Sequence, residues 1–311
     1  MTKSVAVLMG GLSAEREVSL NSGRACATAL REAGYEVSEI DVSRDMGALV
    51  AALTPAPDAI FNALHGRWGE DGCIQGLLEL LQIPYTHSGV LASSLAMDKV
   101  MAKTVVATAG VTSPEGRIIK AKELESNGDP LPRPYVAKPL REGSSVGVRI
   151  VREGDNQPPI KVHGWRPEQD ILVEPFIPGR ELTVSVMGDR ALAVTEIRPL
   201  GEGFYDYDAK YSEDSSVAAV HVVPAEIPES TYEEAMSASL AAHRALGCRG
   251  VSRSDFRYDD TAREPGDLYY LETNTQPGMT ATSLVPEQAR HIGLSFPELC
   301  AWMVENAACD S

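Results

Sequence analysis

The first ninety residues switch repeatedly between extended apolar runs and segments with helical spacing, and few folds can absorb that pattern. "SVAVLMGG" at 4–11 is a short strand that runs into glycines. Helical spacing follows from Ala14 to Ala33, and Gly34 closes the segment. "YEVSEIDV" then reads as a second strand, "GALVAAL" as a short helix, and "DAIFNAL" as a third strand; an apolar helix runs from Gly72 to Leu81. Strands separated by helices cannot close as hairpins. They line up parallel, with helices covering the sheet.

With 311 residues the chain exceeds what one core usually serves, so two or three packed subdomains are expected. Its middle changes character. "SSLAMDKVMAKTVVATAG" reads as one helix ending at Gly110, and "YVAKPLREGSSVGVRIV" as two strands around a Gly/Ser turn. Residues 154–168, with Pro158 and Pro159, make a poor helix and an exposed excursion. "DILVEPFIPGRELTVSVMG" and "RALAVTEIRPL" are further strands, and a helix spans Glu229 to Leu246. Between them "GEGFYDYDAKYSEDSS" suits a mobile loop.

The formal charge of −16 argues against nucleic acid or an acidic membrane surface as partner. No apolar run approaches the roughly 18 residues of a membrane span, and the N-terminus lacks a leader-like core. Five scattered cysteines without a C-x-x-C pair fit reduced thiols in a cytoplasmic protein, with no structural zinc.

The chemistry concentrates in "YYLETNTQPGMT" (269–280), a strand carrying Glu272 and Asn274 on one face. If residues 251–258 and 268–274 close symmetrically, with Tyr258 opposite Tyr269, Asp255 falls opposite Glu272. Such a pair has Cβ atoms about 4.5–5.5 Å apart, and like charges there destabilise unless they share a proton or a cation. Adding Asn274 gives an all-oxygen set suited to Mg²⁺. Arg253 shares the face of Asp255. A solvated sheet face with a salt bridge is the plainer alternative for the hairpin alone.

Lys138 sits inside the apolar strand "YVAKPL", Lys99 follows Asp98 on the middle helix, and Lys210 lies in the mobile loop. Singly each reads as a surface lysine. Together, beside a Mg²⁺ site, they are what a nucleoside triphosphate needs. "REGSSVG" offers backbone N–H groups and hydroxyls to phosphate, yet neither a Walker A string nor G-x-G-x-x-G occurs.

With these residues in view the chain resembles the D-alanine–D-alanine ligases of the ATP-grasp superfamily over nearly its whole length. The carrying motifs are "MGGLSAEREVSLNSG" (9–23), "LHGRWGEDG" (64–72), "MDK" (97–99), "KPLREGSSVG" (138–147), "YDYDAKY" (205–211), "RSD" (253–255) and "LETNTQPGMTATSLVP" (271–286). Their order is specific where each alone is weak.

The resemblance implies an α/β chain whose N-terminal parallel-sheet domain (1–96) precedes a two-lobed ATP-grasp fold (97–180 and 181–311). It implies ATP-dependent joining of two D-alanines through a D-alanyl phosphate, for peptidoglycan precursors, in a cytoplasmic homodimer. Asp255, Glu272 and Asn274 would hold two Mg²⁺ ions, or Mn²⁺ in their place. Lys99, Lys138 and Lys210 would neutralise phosphate, Glu174 and Ile177 would contact adenine, and Glu181 the ribose. Glu15 would take the first substrate's ammonium, with His65 beside that pocket. Ser144 and Tyr211 would chain to Glu15 and fasten the loop. Arg253 and the Gly278 N–H would face the oxyanion, and Ser283 with the Leu284 backbone the second carboxylate.

Two other readings stay open: a ligase using D-lactate as acceptor, and a nucleotide-binding module without turnover. "AKY" favours the dipeptide former, and every matched position carries a suitable residue. Residues 152–168 depart from the family pattern, in which this stretch is helical.

Overall fold

The computed structural model describes residues 2–126, 128–141, 147–155, 165–199, 219–280 and 282–310. The expected parallel sheet is there. Strands β1 (Ser4–Gly10), β2 (Glu36–Val42) and β3 (Ala59–Asn62) run parallel in the order β2-β1-β3. Helices α1 (Arg16–Glu32) and α2 (Met46–Ala52) make the crossovers, and α3 (Cys73–Leu81) follows.

One face of this sheet is closed by the far end of the chain. Helices α8 (Leu284–His291) and α9 (Phe296–Glu305) bring Val285, Ala289, Leu299 and Met303 into a core with Val5, Val7, Met9 and Leu30. The sequence reading had assigned neither helix. The start of α9 does carry a signal: Ser295 Oγ and Glu298 form a capping box, with Pro297 in the first turn. All five cysteines are free, and Cys26 and Cys300 fill this same core.

The middle helix is a correction. It divides into α4 (Val90–Met97) and α5 (Lys99–Ala107). Asp98 leaves the helical region (φ −90°, ψ 102°) and its carboxylate accepts from the Met101 N–H at 3.2 Å, capping α5. The apolar spacing runs on through the break, so periodicity hides it. The consequence is functional, because Lys99 becomes the first residue of a new helix.

Two antiparallel sheets follow. Strands β4 (Arg117–Lys120), β5 (Tyr135–Pro139), β6 (Arg149–Val151) and β7 (Asp170–Pro175) run in the order β4-β7-β5-β6, with the one-turn α6 (Glu123–Ser126) after β4. Tyr135, Ala137, Ile171 and Val173 build a core on one face, and Trp165 joins them. The expected excursion therefore ends in a buried indole; residues 156–164 of it lie outside the described residues. Lys138 and Glu174 sit on the other face, as diagonal cross-strand neighbours.

The last sheet contains β8 (Arg180–Met187), β9 (Arg190–Pro199), β10 (Ala219–Val222), β11 (Val251–Asp259) and β12 (Asp267–Asn274), ordered β10-β9-β8-β11-β12. Leu182, Val184, Phe256, Tyr258 and Tyr270 pack against α7 (Glu229–Ala245) and α5. Alternation sends Glu181, Thr183, Arg253, Asp255 and Arg257 to the opposite face. The hairpin register is partly corrected. Asp255 does pair with Glu272, but Tyr258 pairs with Leu268, because a bulge between Asp255 and Phe256 leaves Leu271 extra.

Candidate active site

The polar face of β11 and β12 carries two cross-strand pairs, Arg253 opposite Asn274 and Asp255 opposite Glu272. Arg253 grips Asp255 with two parallel bonds of 2.9 and 2.8 Å, and Thr183 Oγ1 donates to the same carboxylate at 2.6 Å. Glu272 takes Lys99 at 3.1 Å. Asn274 Oδ1 accepts from the Gln276 N–H at 2.7 Å, which turns the chain at the strand's end. Each carboxylate of the opposed pair is thus neutralised by a separate cation.

A second cluster lies on the middle sheet. Glu174 is buried between two lysines: Lys138 at 2.8 Å on one oxygen and Lys103 on the other. Burial alone would raise the pKa of this carboxyl, but Lys138 and Lys103 outweigh it and hold it below its ordinary value. Burial, with Lys138 nearby, pulls the Lys103 ammonium down to about 7 although Glu174 opposes the shift. Glu174, expected beside adenine, is bonded to both lysines. Ile177 offers its carbonyl to Arg257 at 3.0 Å, and Glu181 lies 3.8 Å from the same guanidinium.

The N-terminal sheet supplies a third cluster at the carboxyl ends of its strands. Glu15 is buried at the head of α1, where its own N–H donates to Ser13 Oγ. Gly66 passes so close that an added Cβ would stand 2.4 Å from Glu15 Oε2, and its φ of +67° also favours glycine. The Gly66 N–H donates to Glu70 at 3.0 Å. Burial first, then the Glu15 charge, push the Glu70 carboxyl well above the usual range; Glu272 adds to this and Lys99 opposes it. Hence the acids of the first sheet and the hairpin of the last sheet feel one another. His65 is buried, held at about 4 by burial with Arg253 adding to it, and lies 3.3 Å from Ser22 Oγ. It is a neutral imidazole at neutral pH.

The Pro-Gly turn after β12 closes the site. Ser22 Oγ accepts from the Met279 N–H at 3.3 Å, and Gln276 is bonded by Asn62 at 2.7 Å. Ser283 precedes α8, and its Oγ accepts from the Thr280 N–H at 2.9 Å beside Gly278. Leu284 is the buried first residue of that helix. Ser144, Lys210 and Tyr211 lie outside the described residues.

Known proteins show the same plan. A family model described as D-ala D-ala ligase C-terminus matches residues 104–305, and one described as D-ala D-ala ligase N-terminus matches 47–88. The chain is similar to the D-alanine–D-alanine ligase of Acidiphilium cryptum, 62% identical over 307 residues and 99% of both chains. It is likewise similar to that of Methylobacterium radiotolerans, 59% identical over 310 residues and 99% of both. The chain belongs to the D-alanine–D-alanine ligase family.

Solved structures agree on the fold. A D-alanine–D-alanine ligase from Bacillus anthracis superposes with a TM-score of 0.80 at 32% identity, covering 98% of this chain and 97% of that one. The same enzyme complexed with ATP gives 0.79 at 30% identity, over 98% and 97%. In this ligase family member, sequence reasoning had missed Lys103 and Glu70. Both stood in quoted motifs or beside them, and helical spacing from Lys99 was the signal for Lys103. For Glu70 no signal short of the loop's folded shape existed.

The donor set fits a hard divalent cation. Among the described residues no three His, Cys, Asp or Glu side chains gather into a ready-made cluster. Asp255, Glu272 and Asn274 instead offer two carboxylates and an amide oxygen, and leave other positions on such an ion to phosphate and water.

Proposed function

We propose that the chain joins two D-alanines at the expense of ATP, making D-alanyl-D-alanine for peptidoglycan precursors. One observation carries this reading furthest. Asn62 donates to Gln276 at 2.7 Å and the Met279 N–H to Ser22 Oγ at 3.3 Å, so the turn after the Asp255/Glu272 hairpin is bonded to the N-terminal sheet and α1, beside buried Glu15 and the Gly66–Glu70 loop.

The chemistry follows from that adjacency. Glu15, buried and next to Glu70, receives the ammonium of the first D-alanine, and its carboxylate then points toward Lys99 and the hairpin. An oxygen of that carboxylate attacks the γ-phosphorus of ATP, and ADP leaves. The neutral amine of the second D-alanine adds to the acyl carbon, and the bond from that carbon to the bridging oxygen breaks. Phosphate leaves with that oxygen and the proton given up by the nitrogen as the peptide bond forms. Lys99 and Lys138 neutralise phosphate charge, which phosphoryl transfer needs more than covalent help. Arg253 and the Gly278 N–H stabilise the oxyanion, while Ser283 and the Leu284 N–H take the second carboxylate. Asp255, Glu272 and Asn274 would hold two Mg²⁺ ions, whose contribution when bound is further charge neutralisation on the phosphates. Adenine lies against Glu174 and Ile177, and the ribose against Glu181. Ser144, Tyr211 and Lys210, outside the described residues, keep the roles that the family resemblance implies, loop fastening for the first two and phosphate neutralisation for Lys210. Excluding water would protect the acyl phosphate.

The working parts are 1–96, 97–180 and 181–311, in a cytoplasmic homodimer. Among the described residues no helix is long and apolar enough to cross a membrane. The test is phosphate release from MgATP with D-alanine, with L-alanine, and with D-alanine plus D-lactate, the products weighed by mass spectrometry. Dipeptide from D-alanine alone is expected. A depsipeptide as main product, or no turnover from folded protein that binds ATP, would sink the reading.

A further inference from the structure

Arg257 lies two residues beyond Asp255 on the same face of β11, yet it spends its donors differently from Arg253. Arg253 closes both donors on a carboxylate. Arg257 Nε donates to the Ile177 carbonyl at 3.0 Å, and one terminal nitrogen donates to the Gly179 carbonyl at 2.7 Å. Its guanidinium also stands 5.7 Å from the Phe176 ring centre. Glu181 is only within 3.8 Å, too far for a charge-assisted hydrogen bond of about 2.7–2.9 Å. One side chain of the last sheet therefore holds two carbonyls of the segment that crosses from β7 to β8, while the Phe176 N–H at its start donates to the Pro134 carbonyl at 3.2 Å.

That segment has little freedom of its own to hold shape. Residues 176–179 lie between strands of two different sheets, and Gly179 sits at φ +85°, where an added Cβ would meet the Tyr258 carbonyl at 2.1 Å. The tie also borders a cavity of about 240 Å³ between the sheets. Ile150 and Phe176 form one wall; Glu181, Ile197 and Arg257 form the other. Arg152, Arg180 and Arg198 also line the cavity, and Arg180 and Arg198 both bind Glu196 at its edge. Arg180 also donates to the Glu226 carbonyl at 2.8 Å, whereas the carbonyls that Arg257 holds belong to the 177–179 segment itself. Burial lowers its pKa, with Glu181 opposing, but a guanidinium stays charged.

We propose that Arg257 is the positioning residue of the adenosine half of the nucleotide site. It fixes the main chain at Ile177 and Gly179 and sets Glu181 at the cavity wall, so that base and ribose meet a preformed surface. This rests on reading the cavity as the adenosine site. Preformed contacts act on binding, and they do not touch the transferred phosphoryl group.

The experiment compares calorimetric binding of ADP, and of inorganic tripolyphosphate, to the whole protein in Mg²⁺. The variants are Arg257→Met, Arg257→Lys and Ile150→Trp, which fills the cavity from the opposite wall. Arg257→Met is expected to weaken ADP roughly tenfold and leave tripolyphosphate within about twofold, with kcat at saturating ATP likewise little changed. Arg257→Lys recovers part of the loss, because one ammonium cannot serve both carbonyls in the same geometry; it also serves if the methionine variant folds poorly. Ile150→Trp should weaken ADP alone. If Ile150→Trp weakens ADP while both Arg257 variants bind it normally, the role of Arg257 is wrong and the cavity reading stands. If none of the three moves ADP, both fall. Equal losses for ADP and tripolyphosphate in the Arg257 variants would mean general disruption and overturn the proposal.

Discussion

Lys99 and Lys103 lie one turn apart on α5, yet each holds a carboxylate from a different sheet. Lys99 pairs with Glu272 on the edge strand of the last sheet, at 3.1 Å, where the acid side chain keeps 26% of its exposure. Lys103 pairs with Glu174 on the middle sheet, where the acid keeps 3% and is shared with Lys138. On the proposed function the first pair is exchangeable: both partners would border arriving cations and phosphates, with Lys99 passing to phosphate and Glu272 to a metal. The second pair is fixed by burial, since removing Glu174 would leave both Lys103 and Lys138 without their carboxylate inside the protein. A short helix thus carries one contact that turnover would remake and one that holds the lobes' lysines in place.

The largest effect should come from the exchangeable pair. Glu272→Gln keeps the shape but removes the charge opposite Asp255, and kcat is expected to fall by at least about 10²–10³-fold. Its melting temperature should stay close to wild type. Wild-type-like turnover of D-alanine in this variant would end the account of the acidic hairpin.

Glu174→Gln tests the fixed pair and should be read as stability. Two ammonium groups would lose their carboxylate inside the protein, at a cost of roughly 3–5 kcal/mol in urea unfolding. A loss below about 1 kcal/mol would put Glu174 among the exchangeable groups. The pH dependence has a definite sign. Glu174 is held below its ordinary value of 4.5, so its contribution is complete above that value and fades as pH falls through the lower folded value.

The smallest effect is on a slope. Lys103 titrates near 7 when folded and at its ordinary 10.5 when unfolded. Between these values the unfolded chain binds the proton and the folded one does not, so stability rises with pH. Lys103→Met should flatten that rise, seen as urea midpoints at pH 7 and pH 10. An unchanged rise in the variant would assign it to other groups.

Much of the site was legible before any folding was considered, and the reasons are local. Period-two alternation on one strand puts Arg253 with Asp255, and on another Glu272 with Asn274. A hairpin's register then brings Asp255 to Glu272, and the error began only beyond the bulge at Leu271, which alternation cannot foresee. The break at Asp98 was hidden for a related reason. Its apolar pattern continues unbroken, and only the capping bond to Met101 ends one helix and begins the next.

The sequence by itself determined the parallel opening sheet, the acidic hairpin and the family, because period, turn chemistry and motif order are properties of neighbouring residues. Only the tertiary structure decided that Glu174 is shared by two lysines, that Glu70 feels both Glu15 and Glu272, and that Arg257 grips the segment at 177–179. Those contacts join residues far apart in the chain. Their strength depends on burial and on distances of a few ångströms, which no local spacing encodes.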